Sequence, residues 1–317
     1  MTGKDTNAVS FEGVARSAAF LEVLAQARQF ARVPRPLLIT GERGTGKELV
    51  ARYVHRCSGR ADGPFVTVNC AAFTDELLVA EVYGHEKGAF TGADETRSGK
   101  LEQADGGTLF LDEIGNMSAA FQDRILRVVE YQEFQRVRGT RTIRVDARVL
   151  SATNADLREL MDAGVFRRDL YDRLTFAELR VPPLRHRRQE IPRLIVHFVR
   201  ELHREMPNLV QRTFHRRTVE VMMEYYWPGN IRELRNVVER VYVYGSGTVI
   251  MPADLPGEIA GTAPTGDGFH ERVEAYKKQL IDTALVEAEG NQRQAARRLE
   301  MTYDQFRHYY RKYRRGS

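Results

Sequence analysis

Residues 37–48 read Leu37-Leu38-Ile39-Thr40-Gly41-Glu42-Arg43-Gly44-Thr45-Gly46-Lys47-Glu48, and this stretch decides the fold of the chain. Its first four residues are apolar or β-branched and predict a strand. The next seven fit the pattern G-x-x-x-x-G-K, which binds phosphate where it joins a strand to a helix. Glycines let backbone N–H groups turn toward phosphate oxygens, and the lysine and the helix N-terminus neutralise phosphate charge. The predicted phosphate site consists of Gly41, Glu42, Arg43, Gly44, Thr45, Gly46, Lys47 and Glu48.

Helical patterns alternate with further short apolar runs, at 65–69, 108–111, 148–152 and 177–181. This alternation predicts an α/β fold with a parallel sheet flanked by helices. Ahead of the sheet, apolar residues at helical spacing predict one amphipathic helix over 17–31.

Pro182-Pro183 ends the α/β part, and the pattern from about 190 to 245 is helical throughout, which predicts a small all-helical lid. One apolar stripe in this pattern consists of Ile191, Leu194, Ile195, Phe198 and Leu202. The segment 252–268 holds four glycines and three prolines in seventeen residues, a composition typical of a flexible linker. We therefore divide the chain into an α/β subdomain (1–182), a helical lid (183–251), a linker (252–268) and a C-terminal helical module (269–317).

Composition narrows the class of protein. Hydrophobic residues make up 42% and charged residues 29% of the chain, as in ordinary globular proteins. The chain has no apolar run of membrane-spanning length and no secretory signal pattern, so we expect no membrane insertion. Cys57 and Cys70 show neither metal-ligand spacing nor a disulfide framework, which favours a cytoplasmic location.

A pair of carboxylates follows the apolar run at 108–111. Open α/β sheets bind their ligands at the carboxyl ends of the strands, so Asp112 and Glu113 are placed where a nucleotide phosphate would lie. We predict that Asp112 holds Mg²⁺ and that Glu113 polarises the attacking water, the usual division of work in phosphoryl transfer. The alternative is a strand that simply ends in two solvated acids.

Positive charge is concentrated at the C-terminus. The formal net charge is +5, whereas residues 291–315 alone carry eight Lys or Arg and two acidic residues, so the rest of the chain is slightly negative. Asn291 and Thr302 each begin a helical pattern, and alanines between them allow close helix crossing, which predicts a DNA-binding helix-turn-helix. A generic basic helical hairpin is the alternative. Candidate base contacts are Gln305, Arg307, His308 and Arg311, and candidate phosphate contacts are Arg293, Arg297 and Arg298.

The hexapeptide Gly88-Ala89-Phe90-Thr91-Gly92-Ala93 has no apolar periodicity and little side chain to bury. Such a segment predicts an exposed loop. An aromatic ring offered to water, here Phe90, indicates contact with a partner. The alternative is a glycine-rich turn with the ring folded inward.

Together, the hexapeptide, the phosphate loop before it and the acidic pair after it resemble the bacterial sigma-54-dependent transcription activators of the AAA+ class. In that family the GAFTGA hexapeptide touches the sigma factor, which implies contacts through Gly88, Ala89, Phe90, Thr91, Gly92 and Ala93. A generic phosphate loop has Ser or Thr where this chain has Glu48, and the family carries the same Gly-Lys-Glu ending. The resemblance extends from Phe11 to Tyr313.

The resemblance also implies roles for five residues around the nucleotide. Asn69 would restrain the catalytic glutamate until the remodelling target engages, and Asn154 would read the γ-phosphate. Arg167 and Arg173 would reach the ATP of a neighbouring subunit, which requires head-to-tail contacts that close into a ring. A lid arginine, Arg232, would sense the nucleotide.

The C-terminal module resembles the Fis-type DNA-binding domain of these activators. Glu300 stands in its turn where such domains have glycine, and this departure puts the local turn geometry in doubt.

The resemblance implies an activator that binds ATP and Mg²⁺, assembles as a homo-oligomer, expected to be a hexameric ring, and binds enhancer DNA upstream of a promoter. It would remodel the closed complex of sigma-54 RNA polymerase holoenzyme into an open complex. We expect an inhibitory or regulatory protein to act on it in trans. One alternative is a related DNA-binding repressor that does not act through sigma-54, and another is a AAA+ DNA motor such as a branch-migration helicase.

Overall fold

The computed structural model describes residues 17–72, 74–90, 93–245, 247–261 and, further on, 277, 280, 281, 284, 285, 288, 291–299 and 301–314. For residues 304, 308 and 311–314 it describes the backbone alone. The chain divides at Gly257 into two compact units. Among the described helices, none is both long enough and apolar enough to cross a membrane.

Five parallel strands form the central sheet of the first unit. They are β1 (Leu37–Thr40), β2 (Phe65–Asn69), β3 (Thr108–Asp112), β4 (Arg148–Thr153) and β5 (Ala177–Arg180), in the spatial order β2-β3-β4-β1-β5. All five predicted strands are confirmed. The register pairs Asn69 with Asp112 and Thr40 with Thr153, so the polar residues that end these strands meet at one edge of the sheet.

Helices cover both faces of this sheet. Those before the lid are α1 (Ala18–Ala31), α2 (Lys47–Arg56), α3 (Asp75–Tyr83), α4 (Lys100–Gln103), α5 (Ala119–Tyr131), α6 (Leu157–Asp162) and α7 (Arg168–Leu174). Alternate residues of a strand face opposite layers. Leu109 and Leu111 accordingly pack in the core that includes α3 and α5, and Phe110 packs in the core that includes α1 and α2. The result is a three-layer α/β structure.

Buried Arg148 joins α1 to the sheet. Its guanidinium donates to the carbonyl oxygens of Ala31 at 2.9 Å, Phe30 at 2.9 Å and Arg35 at 3.1 Å. Burial lowers the pKa of Arg148 to about 10, which still leaves it charged at neutral pH. The bonds to Phe30 and Ala31 satisfy carbonyls at the C-terminal end of α1, which have no partner within the helix.

The lid contains α8 (Ile191–Glu205), α9 (Arg216–Glu224) and α10 (Asn230–Tyr244). The buried residues of α8 are Ile191, Leu194, Ile195, Phe198 and Leu202, which confirms the predicted apolar stripe. Trp227, just before α10, is fully buried and donates its indole N–H to the carbonyl of Met222 at 2.6 Å. Its side chain is therefore part of the lid core.

The all-helical description of the lid was wrong in one detail. Thr213–Phe214 and Val249–Ile250 form a short parallel pair of strands. Hydrophobic periodicity does not reveal these strands, because each is only two residues long. In the chain, α9 and α10 separate the two strands.

The segment predicted as a linker at 252–268 is folded in its first part. Pro252–Asp254 forms a 3-10 turn, α11 (Gly257–Ala260) follows, and Leu255 and Ile259 are buried. Residues 262–268 lie outside the described part of the chain.

The second unit contains α12 (Gln292–Arg298) and α13 (Tyr303–Arg314). The side chain of Asn291 accepts from the backbone N–H groups of residues 293 and 294, and Thr302 caps α13 with a 3.3 Å bond from Gln305 N–H. The buried core of the second unit consists of Ile281, Ala284, Ala288, Ala295, Ala296 and Phe306. The predicted helix starts and the close packing of the alanines are thus observed. Glu300 lies outside the described residues.

Candidate nucleotide site and contact surfaces

The phosphate loop connects β1 to α2 and contains three glycines in left-handed or otherwise glycine-specific conformations. The φ angles are +151° at Gly41, +77° at Gly44 and +93° at Gly46. A Cβ at Gly44 would come within 2.3 Å of the carbonyl oxygen of Gly229, so this position also needs glycine for space. The backbone can therefore curve as a phosphate cradle requires.

Lys47 lies at the first turn of α2, with only 7% of its surface exposed. Its ammonium donates to the carbonyls of Gly41 at 3.0 Å and Glu42 at 3.3 Å. Burial lowers the pKa of Lys47, and the negative charges of Glu113 and Asp112 counteract that shift. The lysine is thus held beside the predicted acids, with its cation directed to the same site.

Asp112 ends β3, and Glu113 follows it in a left-handed conformation with φ of +58°. An Asp112 carboxylate oxygen accepts the Glu113 backbone N–H at 3.0 Å. Burial and then the negative charge of Glu113 raise the pKa of Asp112. A divalent cation would relieve that repulsion, and Mg²⁺ in nucleotide sites is held by one or two carboxylates together with phosphate oxygens. The two acids therefore fit the predicted metal.

The asparagines predicted from family resemblance occupy different positions relative to Glu113. With its nitrogen turned toward the glutamate, the amide of Asn154 donates to both carboxylate oxygens of Glu113, at 3.2 Å for Oε1. Asn69 is exposed, and its side-chain oxygen accepts the backbone N–H of Ala71 at 2.9 Å. The amide that contacts the catalytic candidate in this structure is therefore Asn154.

A cleft of about 390 Å³ lies between the phosphate loop and the lid. Its polar walls include Arg43, Lys47, Asp112, Glu113 and Arg232. The predicted lid arginine thus reaches the same cavity as the phosphate loop and the two acids.

The apolar walls of the cleft come from both the α/β part and the lid, and include Phe20, Leu49, Leu194, Phe198 and Ile231. An apolar compartment beside a cationic one suits a nucleotide, whose base is flat and weakly polar and whose phosphates are anionic. The residues present therefore fit ATP.

Two glutamates of the phosphate loop bond other protein groups. Glu48 accepts from Arg52 at 2.8 Å and also lines the cleft. Glu42 accepts two bonds from Arg185, at 2.5 and 2.8 Å. The guanidinium of Arg185 lowers the pKa of Glu42 to about 2. Each carboxylate is therefore paired with an arginine, and neither is an unpaired negative charge beside the predicted phosphate position.

Arg167 is the N-cap residue of α7, and Arg173 lies in its last turn. Arg167 pairs with Asp123 and, at 2.6 Å, with Asp169, and Arg173 pairs with Glu130 at 2.9 Å. Neither arginine is among the described residues that line the cleft. Both arginines therefore lie outside the nucleotide cleft of their own chain.

The hexapeptide connects two-residue strands, Gly84–His85 and Arg97–Ser98. Its Ala89 and Ala93 are buried, whereas Phe90 is 43% exposed, with its ring 4.9 Å from that of His85. Thr91 and Gly92 lie outside the described residues. An exposed aromatic ring between buried alanines is consistent with the predicted contact loop.

Among the predicted DNA contacts, Arg293, Arg297, Arg298, Gln305 and Arg307 are exposed on α12 and α13. The guanidinium of Arg293 lies 5.4 Å from the ring centre of Tyr303. The side chains of His308 and Arg311 lie outside the description.

Sequence analysis missed three lid residues whose side chains hydrogen-bond the phosphate loop: Arg185, Arg187 and Asn230. One signal was available. The chain leaves the carboxyl end of β5 just before Pro182-Pro183, so the polar residues that follow must pass over the edge of the sheet where the phosphate loop lies.

A parallel sheet with a phosphate loop after β1, an acidic pair at the end of β3, which β4 separates from β1, and a lid arginine in the same cleft define an ATPase of the AAA+ class. A sequence model described as "Sigma-54 interaction domain" matches residues 14–180, and one described as "AAA+ ATPase lid domain" matches residues 185–271. The chain belongs to the family of sigma-54-dependent transcription activators.

Relatives and solved structures agree with this assignment. The transcriptional regulatory protein ZraR of Klebsiella oxytoca is 45% identical over 302 residues, covering 94% of this chain and 68% of that protein. The Psp operon transcriptional activator of Escherichia coli K12 is 42% identical, covering 91% of this chain and 94% of that protein. The crystal structure of NtrX from Brucella abortus in complex with ATP has a TM-score of 0.72 and 34% identity, covering 93% of this chain and 68% of that chain.

Proposed function

We propose that this activator uses ATP hydrolysis to move the hexapeptide against sigma-54 RNA polymerase holoenzyme and so converts closed promoter complexes into open ones. The observation that carries the proposal is a bond between two surface hairpins. Arg138 donates to the carbonyl of Gly88 at 3.0 Å, which ties the hexapeptide to the hairpin that follows α5.

A continuous path of structure supports this coupling. Glu113 begins the 3-10 turn Ile114–Asn116, which leads into α5, and α5 ends directly before the hairpin of Glu133–Phe134 and Ile143–Arg144. A small change at Glu113 can therefore reach the second hairpin through one packed helix.

The second hairpin is also joined to the segments that flank the hexapeptide. Arg136 bonds Glu102 at 2.7 Å and Glu86 at 3.2 Å. The hydrogen bonds from Arg136 lower the pKa of Glu102, so its carboxylate is ionised at neutral pH. Movement of this hairpin would be transmitted to both sides of the hexapeptide.

Within the cleft, backbone N–H groups of the phosphate loop and Lys47 would bind the phosphates, and Arg232 would approach them from the lid. Mg²⁺, when bound through Asp112, would neutralise phosphate charge. Glu113 would orient and polarise the attacking water, and Asn154 would hold Glu113 or read the γ-phosphate. Restraint of Glu113 by Asn69 stays a prediction. The NtrX structures in complex with ATP and with ADP support the choice of nucleotide.

Arg167 and Arg173 would act in the site of a neighbouring subunit, which implies a closed ring, expected to be a hexamer. Their exposure, and their absence from the described residues that line the cleft of their own chain, support this role.

The second unit would bind enhancer DNA through a helix-turn-helix formed by α12 and α13. Gln305, Arg307, His308 and Arg311 would read bases, and Arg293, Arg297 and Arg298 would contact phosphates.

We further propose that a regulatory protein acts on this activator in trans and that the activator is located in the cytoplasm. The family assignment favours activation through sigma-54 over the repressor and helicase alternatives.

The function can be tested by transcription from purified components. The protein should stimulate open-complex formation only when ATP, Mg²⁺ and sigma-54 polymerase are all present. Polymerase carrying the ordinary sigma factor, on a promoter it recognises, is the control. Equal stimulation of both polymerases would contradict the proposal.

Truncation tests the separation of ATPase and DNA binding. Ending the chain after Gly261 should abolish specific DNA retention in a mobility-shift assay and leave ATPase activity within about twofold, because the division into compact units lies nearby. At high concentration the truncated protein should still activate transcription from solution. Loss of ATPase activity would show instead that the second unit supports the first.

A further inference from the structure

The lid fixes the direction of the phosphate-loop peptides. The carbonyl groups of residues 43–45 accept hydrogen bonds from, in order, the amide of Asn230 at 3.0 Å, the backbone N–H of Ile231 at 3.0 Å and the guanidinium of Arg187 at 2.5 Å. A trans peptide is planar, with its carbonyl and N–H on opposite sides. Lid donors that hold these three carbonyls therefore also orient the N–H groups that a phosphate would need.

Glu42 lies at the centre of this contact. Its carboxylate accepts two bonds from Arg185, and the amide of Asn230 donates to it at 3.2 Å. Arg185 is itself held over the ring of Tyr226, at 4.6 Å from the ring centre. The carboxylate is therefore directed at the lid, although the sequence pattern placed it among the phosphate contacts. A carboxylate facing the phosphates would repel them.

Asn230 is the lid residue on which the contact depends. It is fully buried, and its side-chain oxygen accepts the backbone N–H of Leu184 at 2.8 Å. Its φ of +54° and that of Trp227, +53°, are left-handed conformations that residues other than glycine rarely adopt. Such backbone persists where surrounding contacts hold it, and here those contacts include the phosphate loop.

We propose that Glu42, Arg185 and Asn230 form a latch between phosphate loop and lid that presets the loop for nucleotide, and that Glu42 acts on ATP only through this latch. The three are positioning residues. When the latch is absent, binding of ATP must itself order the loop, which weakens affinity. Once ATP is bound, the loop is ordered with or without the latch, so the kcat for ATP hydrolysis changes little. This inference rests on the proposed nucleotide site.

The main test is Glu42→Gln, which keeps the shape of the side chain and removes its charge. The measurements are made at a protein concentration above which activity per subunit no longer rises. The KM for ATP and the Kd for a fluorescent ATP analogue should then each rise about tenfold, the size expected from a lost hydrogen bond to a charged group. The kcat should stay within about twofold. The matched control is Glu220→Gln, in a surface pair with Arg216 on α9, which should change none of these values.

Two further variants separate a latch from a general loss of stability. Arg185→Lys keeps the charge and loses the paired geometry, so its KM should lie between those of the parent and Glu42→Gln, and it provides a reading if Glu42→Gln does not fold. The double variant Glu42→Gln with Arg185→Gln should have a KM no higher than that of the worse of its two single variants, Glu42→Gln and Arg185→Gln, each measured alone.

Several results would overturn the latch. They are an unchanged KM with a lowered melting temperature, a kcat that falls with KM constant, and effects of the two substitutions that multiply. Failure of the parent protein to bind the ATP analogue would instead refute the nucleotide site on which the inference rests.

Discussion

Replacing Phe90 by alanine is expected to abolish ATP-dependent open-complex formation at a sigma-54 promoter. The ring is 43% exposed, contacts His85 and is not among the described residues that line the nucleotide cleft, so its loss should leave ATP hydrolysis within about twofold. The measurement is capture of sigma-54 by the protein in the presence of a transition-state mimic of ATP hydrolysis. The parent should capture it, and Phe90→Ala should not.

The control removes an exposed aromatic ring elsewhere. Tyr244, at the end of α10, is 82% exposed, and Tyr244→Ala should capture the sigma factor as the parent does. If Phe90→Ala captures it equally well, the hexapeptide is not the contact and the proposed function loses its main support.

Replacing Arg173 by alanine should lower ATP hydrolysis by about 10³-fold or more, the range found for arginines supplied to a neighbouring active site in other phosphate-hydrolysing enzymes. Binding of ATP should be retained, because Arg173 lies outside the cleft of its own chain. The matched control is Arg168→Ala on the same helix, where an exposed arginine pairs with Asp162 at 3.0 Å. Its hydrolysis should stay near the parent value.

Mixing two inactive variants tests whether the arginine acts between subunits. Glu113→Gln lacks the water-activating carboxylate and keeps Arg173, whereas Arg173→Ala has the opposite defect. Mixed rings contain some sites with both groups intact, so activity should reappear on mixing. Two results would show instead that Arg173 acts in the nucleotide site of its own subunit. One is no recovery of activity in rings shown to be mixed, and the other is full activity of the parent protein as a demonstrated monomer.

The elements that sequence predicted well are those that local spacing determines. The phosphate loop, the strand before it and the stripe on α8 each depend on residues a few positions apart, so their periodicity is visible in the chain. The acidic pair was predicted by its place after a buried strand, and the structure brings Asp112 and Glu113 to the same cleft as Lys47.

Contacts between distant parts of the chain could not be predicted in this way. Glu42 and Arg185 are 143 residues apart, and Arg148 and Ala31 are 117 apart. No spacing rule relates such pairs, because the three-dimensional path of the chain brings them together. The phosphate-loop pattern therefore placed Glu42 with the nucleotide contacts, and only the lid geometry shows what its carboxylate bonds.

Trp227 gives this protein a built-in optical reporter. It is the only tryptophan in the chain, it is fully buried, and it lies three residues before Asn230 in the turn that opens α10. Selective excitation of indole would therefore report on the lid turn without any attached label. A change in its emission on adding ATP would time the movement of that turn directly, and stopped-flow recording could compare it with phosphate release.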